Sequence, residues 1–440
     1  MQDLWADYAG EALATEGAGS AGGLRRRRLT EQAALMALRA WLLRDYMLPY
    51  GASLGATRIF QRCYWLDGLG SPRASGSGGS WLSPVSTVPA TSSTSKRGKG
   101  KSSAPDPVLP LALQLVGETA GQLARIERPI ALYGFALDEK RGRRKFLATT
   151  NPRPAHNGNG ASSPLVLPRE GGLLSASWPE LAPSLLADLG QSAAVFLLNP
   201  FKETFFRYTD LAPLYQRTAP TELFLCLSHK QIESRLLPML RTSEGAAALT
   251  NLLRSDRWKS LIARETEQPE RVIPGLVELF AESMRSHFLS VQTLNFPVRS
   301  GPALVEAAPY ALLFATRRQD SLFSLNDAVC KRARQVLAES HRGVLNEAWF
   351  NAQRSEQAAA QQVALAQEAL TLGRNSRARR WPDLRLQLLL RHFGQHMLEE
   401  YDGILLDLLA RSEVRCEWRK RTPEPATGTI PGNDDLLLWK

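Results

Sequence analysis

The sequence predicts an α/β protein built on a largely parallel sheet, followed by helices and a terminal hairpin. Three observations carry that reading. Four short apolar runs have the length of buried strands: 58–66 (RIFQRCYWL), 129–137 (PIALYGFAL), 193–198 (AAVFLL) and 221–228 (TELFLCLS). Helical stretches separate these runs, which is the order of βαβ units. The chain has 440 residues, 44% of them hydrophobic and 22% charged, enough for two or three domains with a real core.

Residues 1–28 read as a flexible basic lead-in, Gly/Ala-rich around 17–23 and closed by Arg25–Arg28. Such an arginine run is either a solvated tail or a phosphate-binding arm. Residues 30–48 read as a helix capped by Thr30, with Glu31 and Gln32 in its first turn. Leu35, Leu38, Leu42 and Leu43 give it one apolar face. The strand 58–66 then runs into Asp67-Gly68-Leu69-Gly70.

Composition changes abruptly over 71–107, which is mostly Ser, Gly, Pro, Thr and Lys and holds the basic cluster Lys96–Lys101. Such a segment cannot bury enough apolar surface to offset its ordering entropy, so it reads as a disordered, low-complexity insertion. Order returns with a helix over 108–124, the strand 129–137 ending at Asp138-Glu139, and a short strand over 145–150. A Pro/Gly/Asn-rich loop (151–164), a helix (178–189) and the strands 193–198 and 221–228 follow. Residues 230–290 read as mainly helical, and 291–298 (VQTLNFPV) and 309–316 (PYALLFAT) as a candidate antiparallel pair. A helix over 321–341 leads to an Ala/Gln-rich helix over 344–372, whose exposed-looking composition suits a connector.

The C-terminal end has the order of a winged helix-turn-helix module. A basic hinge, 374–380 (RNSRARR), precedes helices over 383–393 and 396–411 and strands over 413–420 (EVRCEWRK) and 434–439 (DDLLLW). Arg377, Arg379 and Arg380 before the helices, and Arg415, Arg419, Lys420 and Arg421 on the wing beside Trp418, are candidate phosphate contacts. The alternative is a winged helix used for protein contacts, since Glu399, Glu400, Asp402 and Asp407 lie in the same module.

Lys and Arg number 54 against 43 Asp and Glu, a formal charge of +11, which favours a polyanionic partner, nucleic acid first. Four cysteines, Cys63, Cys226, Cys330 and Cys416, lie far apart with no C-x-x-C pair. That argues against a disulfide framework or a zinc knuckle and for a reducing, cytoplasmic setting. No apolar run is long enough for a transmembrane helix, and the N-terminus lacks the basic-then-apolar order of a signal peptide, so no membrane partner is expected. Of the six histidines, His392 and His396 stand at i and i+4, but no third ligand is placed near them and no metal is expected. There is no Walker A sequence and no G-x-S-x-G elbow.

Two motifs are candidate chemistry. In Asp67-Gly68-Leu69-Gly70 the glycines suit a backbone that turns tightly and approaches a nucleotide, with Asp138 or Glu139 at the next strand's end available to ribose hydroxyls. A plain turn is the alternative. Asn199-Pro200-Phe201 ends the strand AVFLLN. Amino-methyltransferases hold an exocyclic amine with such an amide and backbone carbonyl, and stack the base on the aromatic ring. A proline-terminated strand with a packed Phe is the alternative.

Taken in order, these pieces resemble the three-Cys-motif partner (TcmP) family. YWLDGLG (64–70) is similar to its "y-i-D-x-F-A-G-x-G" strand and loop, and Asn199-Pro200-Phe201 sits at its "l-D-P-[FY]-G". TELFLCLSHKQIESRL (221–236) is similar to its "s-E-v-l-i-n-f" strand and helix. NFPVR (295–299) and YALLFATRR (310–318) are similar to its "p-F-P-M-R … Y-x-L-i-f-A-T-r-h" segment.

The resemblance implies a Rossmann-like, class I methyltransferase-type core over 29–335, interrupted by the 71–107 insertion. A helical connector over 336–377 and a winged-helix-like domain over 378–440 complete the expected chain. It puts Asp67, Gly68 and Gly70 at an AdoMet loop, Asp138 or Glu139 at the ribose, and Asn199, Pro200 and Phe201 at a target amine. It also implies a partner protein bearing a three-cysteine motif.

The sequence departs from the family at those places. The loop is shortened or displaced to L-G-S, with the Ser/Gly insert behind it, the family's Asp is Asn199, and the Gly after Phe201 is Lys202. The expectation is therefore a divergent subunit that engages nucleic acid and a partner protein through a core with a degenerate AdoMet site, in a prokaryotic defence or mobile-element setting. The alternative is an active AdoMet-dependent methyltransferase acting on a nucleic-acid exocyclic amine.

Overall fold

The computed structural model describes residues 31–70, 111–137, 171–174, 176–202, 205–263, 269–294, 297–301, 304–340, 346–375, 380–419 and 428–440. The expected lead-in 1–28, the insertion 71–107, the strand 145–150 and the loop 151–164 lie outside the described residues.

A seven-stranded, mostly parallel sheet forms the centre. Its strands are β1 (Arg62–Asp67), β2 (Ala131–Leu137), β3 (Gly171–Leu174), β4 (Ala193–Leu198), β5 (Thr221–Ser228), β6 (Ser290–Leu294) and β9 (Tyr310–Thr316), in the order β3-β2-β1-β4-β5-β9-β6. Strands β1 to β5 pair in parallel, and β9 runs antiparallel to both β5 and β6. The expected antiparallel pair is present as β6 and β9. A second small hairpin, β7 (Pro297–Gly301) with β8 (Leu304–Ala307), lies between them in sequence.

Helices cover both faces, as an all-buried parallel sheet requires. The alternation of side chains along each strand divides the core in two. Trp65 and Leu197 join Trp41, Tyr46 and Phe314 on one face. Leu66, Phe196 and Leu198 join Trp178, Phe201 and Phe280 on the other.

The first face is covered by α1 (Glu31–Trp41), a π-helical turn (Leu42–Tyr46), α2 (Met47–Ala56) and α3 (Leu111–Leu123). The second is covered by α4 (Trp178–Leu189), α5 (Tyr208–Gln216), α6 (Ser243–Leu253), α7 (Trp258–Ala263) and α8 (Pro269–Arg285).

After the sheet come α9 (Gln319–Ser340), α10 (Glu347–Asn375), α11 (Trp381–Arg391), α12 (Leu398–Ala410) and the antiparallel hairpin of β10 (Val414–Glu417) with β11 (Leu436–Trp439). These elements share the first core: Trp381, Leu384, Tyr401, Leu405 and Leu437 belong to the same buried cluster as Trp41 and Trp65. The link before α12 is also tied to α9. Asn326 donates to the His396 carbonyl at 2.8 Å and accepts from the Gly394 N–H at 2.9 Å, and Asp327 accepts from the Leu398 N–H at 2.9 Å. No helix among the described residues is long and apolar enough to cross a membrane.

Candidate nucleotide crevice at the strand-order reversal

In an open α/β sheet, ligands bind at the carboxyl ends of the strands where the strand order reverses. Here that point lies between β1 and β4, which are neighbours in the sheet with Asp67 in register with Leu197. The two motifs singled out in the sequence, 67–70 and 199–201, are the continuations of these two strands. The fold therefore brings them side by side.

The β1 loop is held close to β4. The Gly68 N–H donates to the Leu197 carbonyl at 2.7 Å, and a Cβ at Gly68 would stand 2.7 Å from Leu198 Cδ2. Gly70 adopts φ +87°, a left-handed conformation that disfavours side chains, and a Cβ there would stand 2.9 Å from Lys202 Nζ. Gly68 thus serves the close approach of the loop to β4, and Gly70 supplies the left-handed turn.

Asp67 is buried, and its carboxylate is taken up inside the protein. Arg39 enters from α1, with side-chain exposures of 3% for Arg39 and 2% for Asp67. Its Nε donates to Asp67 Oδ2 at 2.5 Å and its Nη2 to Oδ1 at 3.1 Å. Nη2 also donates to the Gly70 carbonyl at 2.7 Å, and the Leu69 N–H donates to Asp67 Oδ1 at 2.9 Å. One guanidinium so ties the strand end to the far side of its own loop, in the bidentate geometry that suits arginine and carboxylate.

The β4 loop is likewise closed on itself. Asn199 Oδ1 accepts from the Phe201 N–H at 2.9 Å, a local turn typical of Asn, and its Nδ2 donates to Gln231 Oε1 at 2.9 Å. The Pro200 carbonyl accepts from the Phe206 N–H at 3.1 Å. Phe201 is 0% exposed and sits edge-on to Phe280 with ring centroids 5.4 Å apart. Its ring faces the core, and the Lys202 carbonyl accepts from Arg235 Nη1 at 2.5 Å. Asp138 and Glu139 lie outside the described residues, just beyond Leu137, the end of β2.

Of the candidate phosphate contacts, Arg380, Arg415 and Arg419 are described, and all three are exposed. Arg380 stands at the N-cap of α11 and Arg415 lies on β10 opposite Leu438. The Arg419 N–H donates to Asp435 Oδ1 at 3.1 Å. Arg377, Arg379, Lys420 and Arg421, with Arg25–Arg28 and Lys96–Lys101, lie outside the described residues. The helix α12 carries Glu399, Glu400, Asp402 and Asp407 and no Lys or Arg. Glu400 pairs with Arg334 at 2.6 Å and Asp402 with Arg385 at 2.9 Å.

His392 and His396 lie beyond the end of α11, not on one helical face as their spacing suggested. His392 Nε2 is 2.6 Å from Glu368 Oε2, and His396 is buried. Among the described residues no group of three or more His, Cys, Asp or Glu gathers to hold a metal.

A second buried acid lies at the opposite end of the sheet. Glu222, near the start of β5, is 0% exposed. Tyr50 donates to its Oε1 at 2.8 Å and Ser321 to its Oε2 at 2.7 Å, and Tyr46 shares a 2.9 Å bond with Ser321. Burial pushes its carboxyl up to about 7, against hydrogen bonds from Thr316, Ser321 and Tyr50 that favour the charged form.

Neither Arg39 nor Glu222 was singled out in the sequence. Each left a signal there: Arg39 falls four residues after Leu35 and three before Leu42, on the apolar face of its helix, and Glu222 interrupts the apolar strand TELFLCLS. Comparison with family models, curated proteins and solved structures returned no match to this chain.

Proposed function

We propose that the chain is a divergent TcmP-like, methyltransferase-fold subunit that does not use AdoMet, and that it binds nucleic acid and a partner protein. The observation that carries this reading is the occupation of the strand-order reversal by Arg39. The residues as arranged do not fit AdoMet. Both oxygens of Asp67 accept from Arg39, and the Gly70 carbonyl is taken by the same guanidinium. A nucleotide cofactor would find the Asp67 carboxylate already bound by Arg39, with Lys202 Nζ beside the loop. The parallel sheet with one antiparallel strand next to its last member supports a methyltransferase-type core as the origin of the crevice.

Nucleic-acid binding is supported by the +11 charge and by the exposed Arg380, Arg415 and Arg419 on helices and hairpin arranged in winged-helix order. The acidic α12 is a poor element to lay in a polyanion's groove, so the contacts fall to the hairpin and the start of α11. A DNA or RNA oligonucleotide labelled at one end and titrated with the full chain tests this. Binding that weakens steeply with salt, with no methyl incorporation from AdoMet, is the expected result. Salt-insensitive binding, or none, would count against it.

A second reading, methyl transfer to a nucleic-acid amine, is favoured by the adjacency of the 67–70 and 199–201 loops. It requires Asn199 to exchange its bonds to Gln231 and the Phe201 N–H for the amine, and Phe201 to leave the core. Methyl incorporation abolished by Asn199→Ala would establish it.

A further inference from the structure

The helices on the second face enclose a cavity of about 370 Å³, the size class of small-molecule sites. It opens where α6 and α8 end beside the start of α5, and none of its walls comes from the loops 67–70 or 199–201. Arg254, the residue after α6, lines it. Its backbone is in the left-handed region, at φ 53° and ψ 28°, where a helix usually ends on glycine or asparagine. Its guanidinium lies over the Tyr208 ring, 4.6 Å from the centroid. Among the described residues that guanidinium makes no hydrogen bond or ion pair, whereas the neighbouring Arg257, Lys259 and Arg285 all have carboxylate partners.

Polar groups converge on the same cavity. The Ser255 hydroxyl accepts from the Arg257 N–H at 3.3 Å, which leaves its own hydrogen to donate, and Ser286 is exposed. His287 stacks on Tyr215 with ring centroids 4.5 Å apart and holds its Nε2 3.4 Å from the Tyr208 hydroxyl. Burial and the nearby Arg317 keep its imidazole below the ordinary histidine range, so at neutral pH it offers hydrogen bonds without charge. Glu282 shares the wall, but its carboxylate is paired with Arg257, and Arg254 leaves the cavity with a net positive charge.

An unpaired planar guanidinium beside hydroxyl donors suits an oxyanion. Arginine's fork alone satisfies a carboxylate, whereas a phosphate has oxygens left for the two serines. Such a group fills only part of the space, so the ligand has a body as well. We propose that this cavity binds a phosphate monoester of about nucleotide size, with the phosphate on Arg254, Ser255 and Ser286 and the body toward His287. The site stands whether or not the chain binds a nucleic-acid strand through its C-terminal hairpin.

Calorimetric titration of the full chain with adenosine 5′-monophosphate, ribose 5-phosphate, inorganic phosphate and adenosine tests this. One site is expected for at least one of the two monoesters, tighter than for inorganic phosphate, with no binding of adenosine. Arg254→Gly removes the guanidinium and suits the left-handed backbone. It is expected to weaken monoester binding by about 10-fold or more with thermal stability unchanged or raised, a combination that a merely structural arginine would not give. Ser286→Ala, at an exposed position, is expected to weaken binding in the same direction. Competition by a 5′-phosphorylated oligonucleotide and not by its unphosphorylated twin would identify the monoester as a strand's end, and no competition by either would identify it as a free small molecule. No binding of either monoester at millimolar concentration, equal affinity for adenosine or inorganic phosphate, equal competition by both oligonucleotides, or full affinity in Arg254→Gly would each overturn the proposal.

Discussion

Arg39 and Asp67, 28 positions apart in the chain, meet at 2.5 Å in the crevice where a ligand of this fold would lie. The first helix thereby reaches through to the end of the first strand, and the loop 67–70 takes its shape from the same guanidinium. A buried ion pair is weak evidence of net stability, but breaking one is costly because a buried charge is left alone.

Asp67→Asn keeps the side chain's shape and removes its charge. It is expected to destabilise the fold by about 3–5 kcal/mol, read as a lower urea midpoint at unchanged slope. Replacing both partners, Arg39→Met with Asp67→Leu, is expected to recover only part of that loss, because the Gly70 carbonyl and the Leu69 N–H then lose their partners. A single substitution costing under ~1 kcal/mol would show that the pair does not hold the loop.

Gly70 is a separate test of the loop. Its φ of +87° opposes a side chain, whereas the neighbouring Lys202 ammonium is the end of a flexible side chain and can move aside. Gly70→Ala is expected to cost roughly 1–2 kcal/mol, measured by the same titration. No loss would mean that the loop adopts another conformation in solution.

Glu222 gives the fold a pH dependence. Its folded carboxyl titrates near 7 against an ordinary value of 4.5, so the native state holds the proton over that window and the unfolded chain does not. Its favourable contribution is complete below about pH 4.5 and is lost as the pH rises through 7. The loss is on the order of 3 kcal/mol from the shift alone. Urea midpoints measured between pH 5 and pH 8 are expected to fall more steeply for the wild type than for Glu222→Gln. Parallel curves would contradict the assignment.

The triple substitution of Arg380, Arg415 and Arg419 by Ala tests the proposed nucleic-acid face. All three are exposed, so folding is expected to be unaffected. If each contacts one phosphate, the slope of log K against log salt falls by about 3. An unchanged slope would move the binding surface elsewhere.

Much of the sheet was legible in the sequence because its strands are short, apolar and flanked by helices. The helix expected at 178–189 and the strands expected at 193–198 and 221–228 coincide with α4, β4 and β5. The four-residue β3 escaped because GGLL has glycine in place of a β-branched signal. The expected helix over 30–48 extends to Ala56, through MLPYGASLGA, where Pro49 and Gly51 read as breakers. Burial of Met47, Tyr50 and Leu54 against the sheet outweighs that local preference.

The positions of the 67–70 and 199–201 loops were also legible, because a strand's end is a sequence feature. Their bonding was not. Arg39 and Gln231 come from segments whose approach depends on the tertiary fold, and these partners decide what Asp67 and Asn199 have left to offer a ligand.

The central claim is that the crevice is filled from within. Calorimetric titration of the purified chain with AdoMet, with Asp67→Ala in parallel, tests it most directly. No heat of binding, and no thermal shift at high AdoMet, is the expected result. Micromolar binding by the wild type that Asp67→Ala abolishes would contradict it, and would mean that Arg39 yields its place to the cofactor.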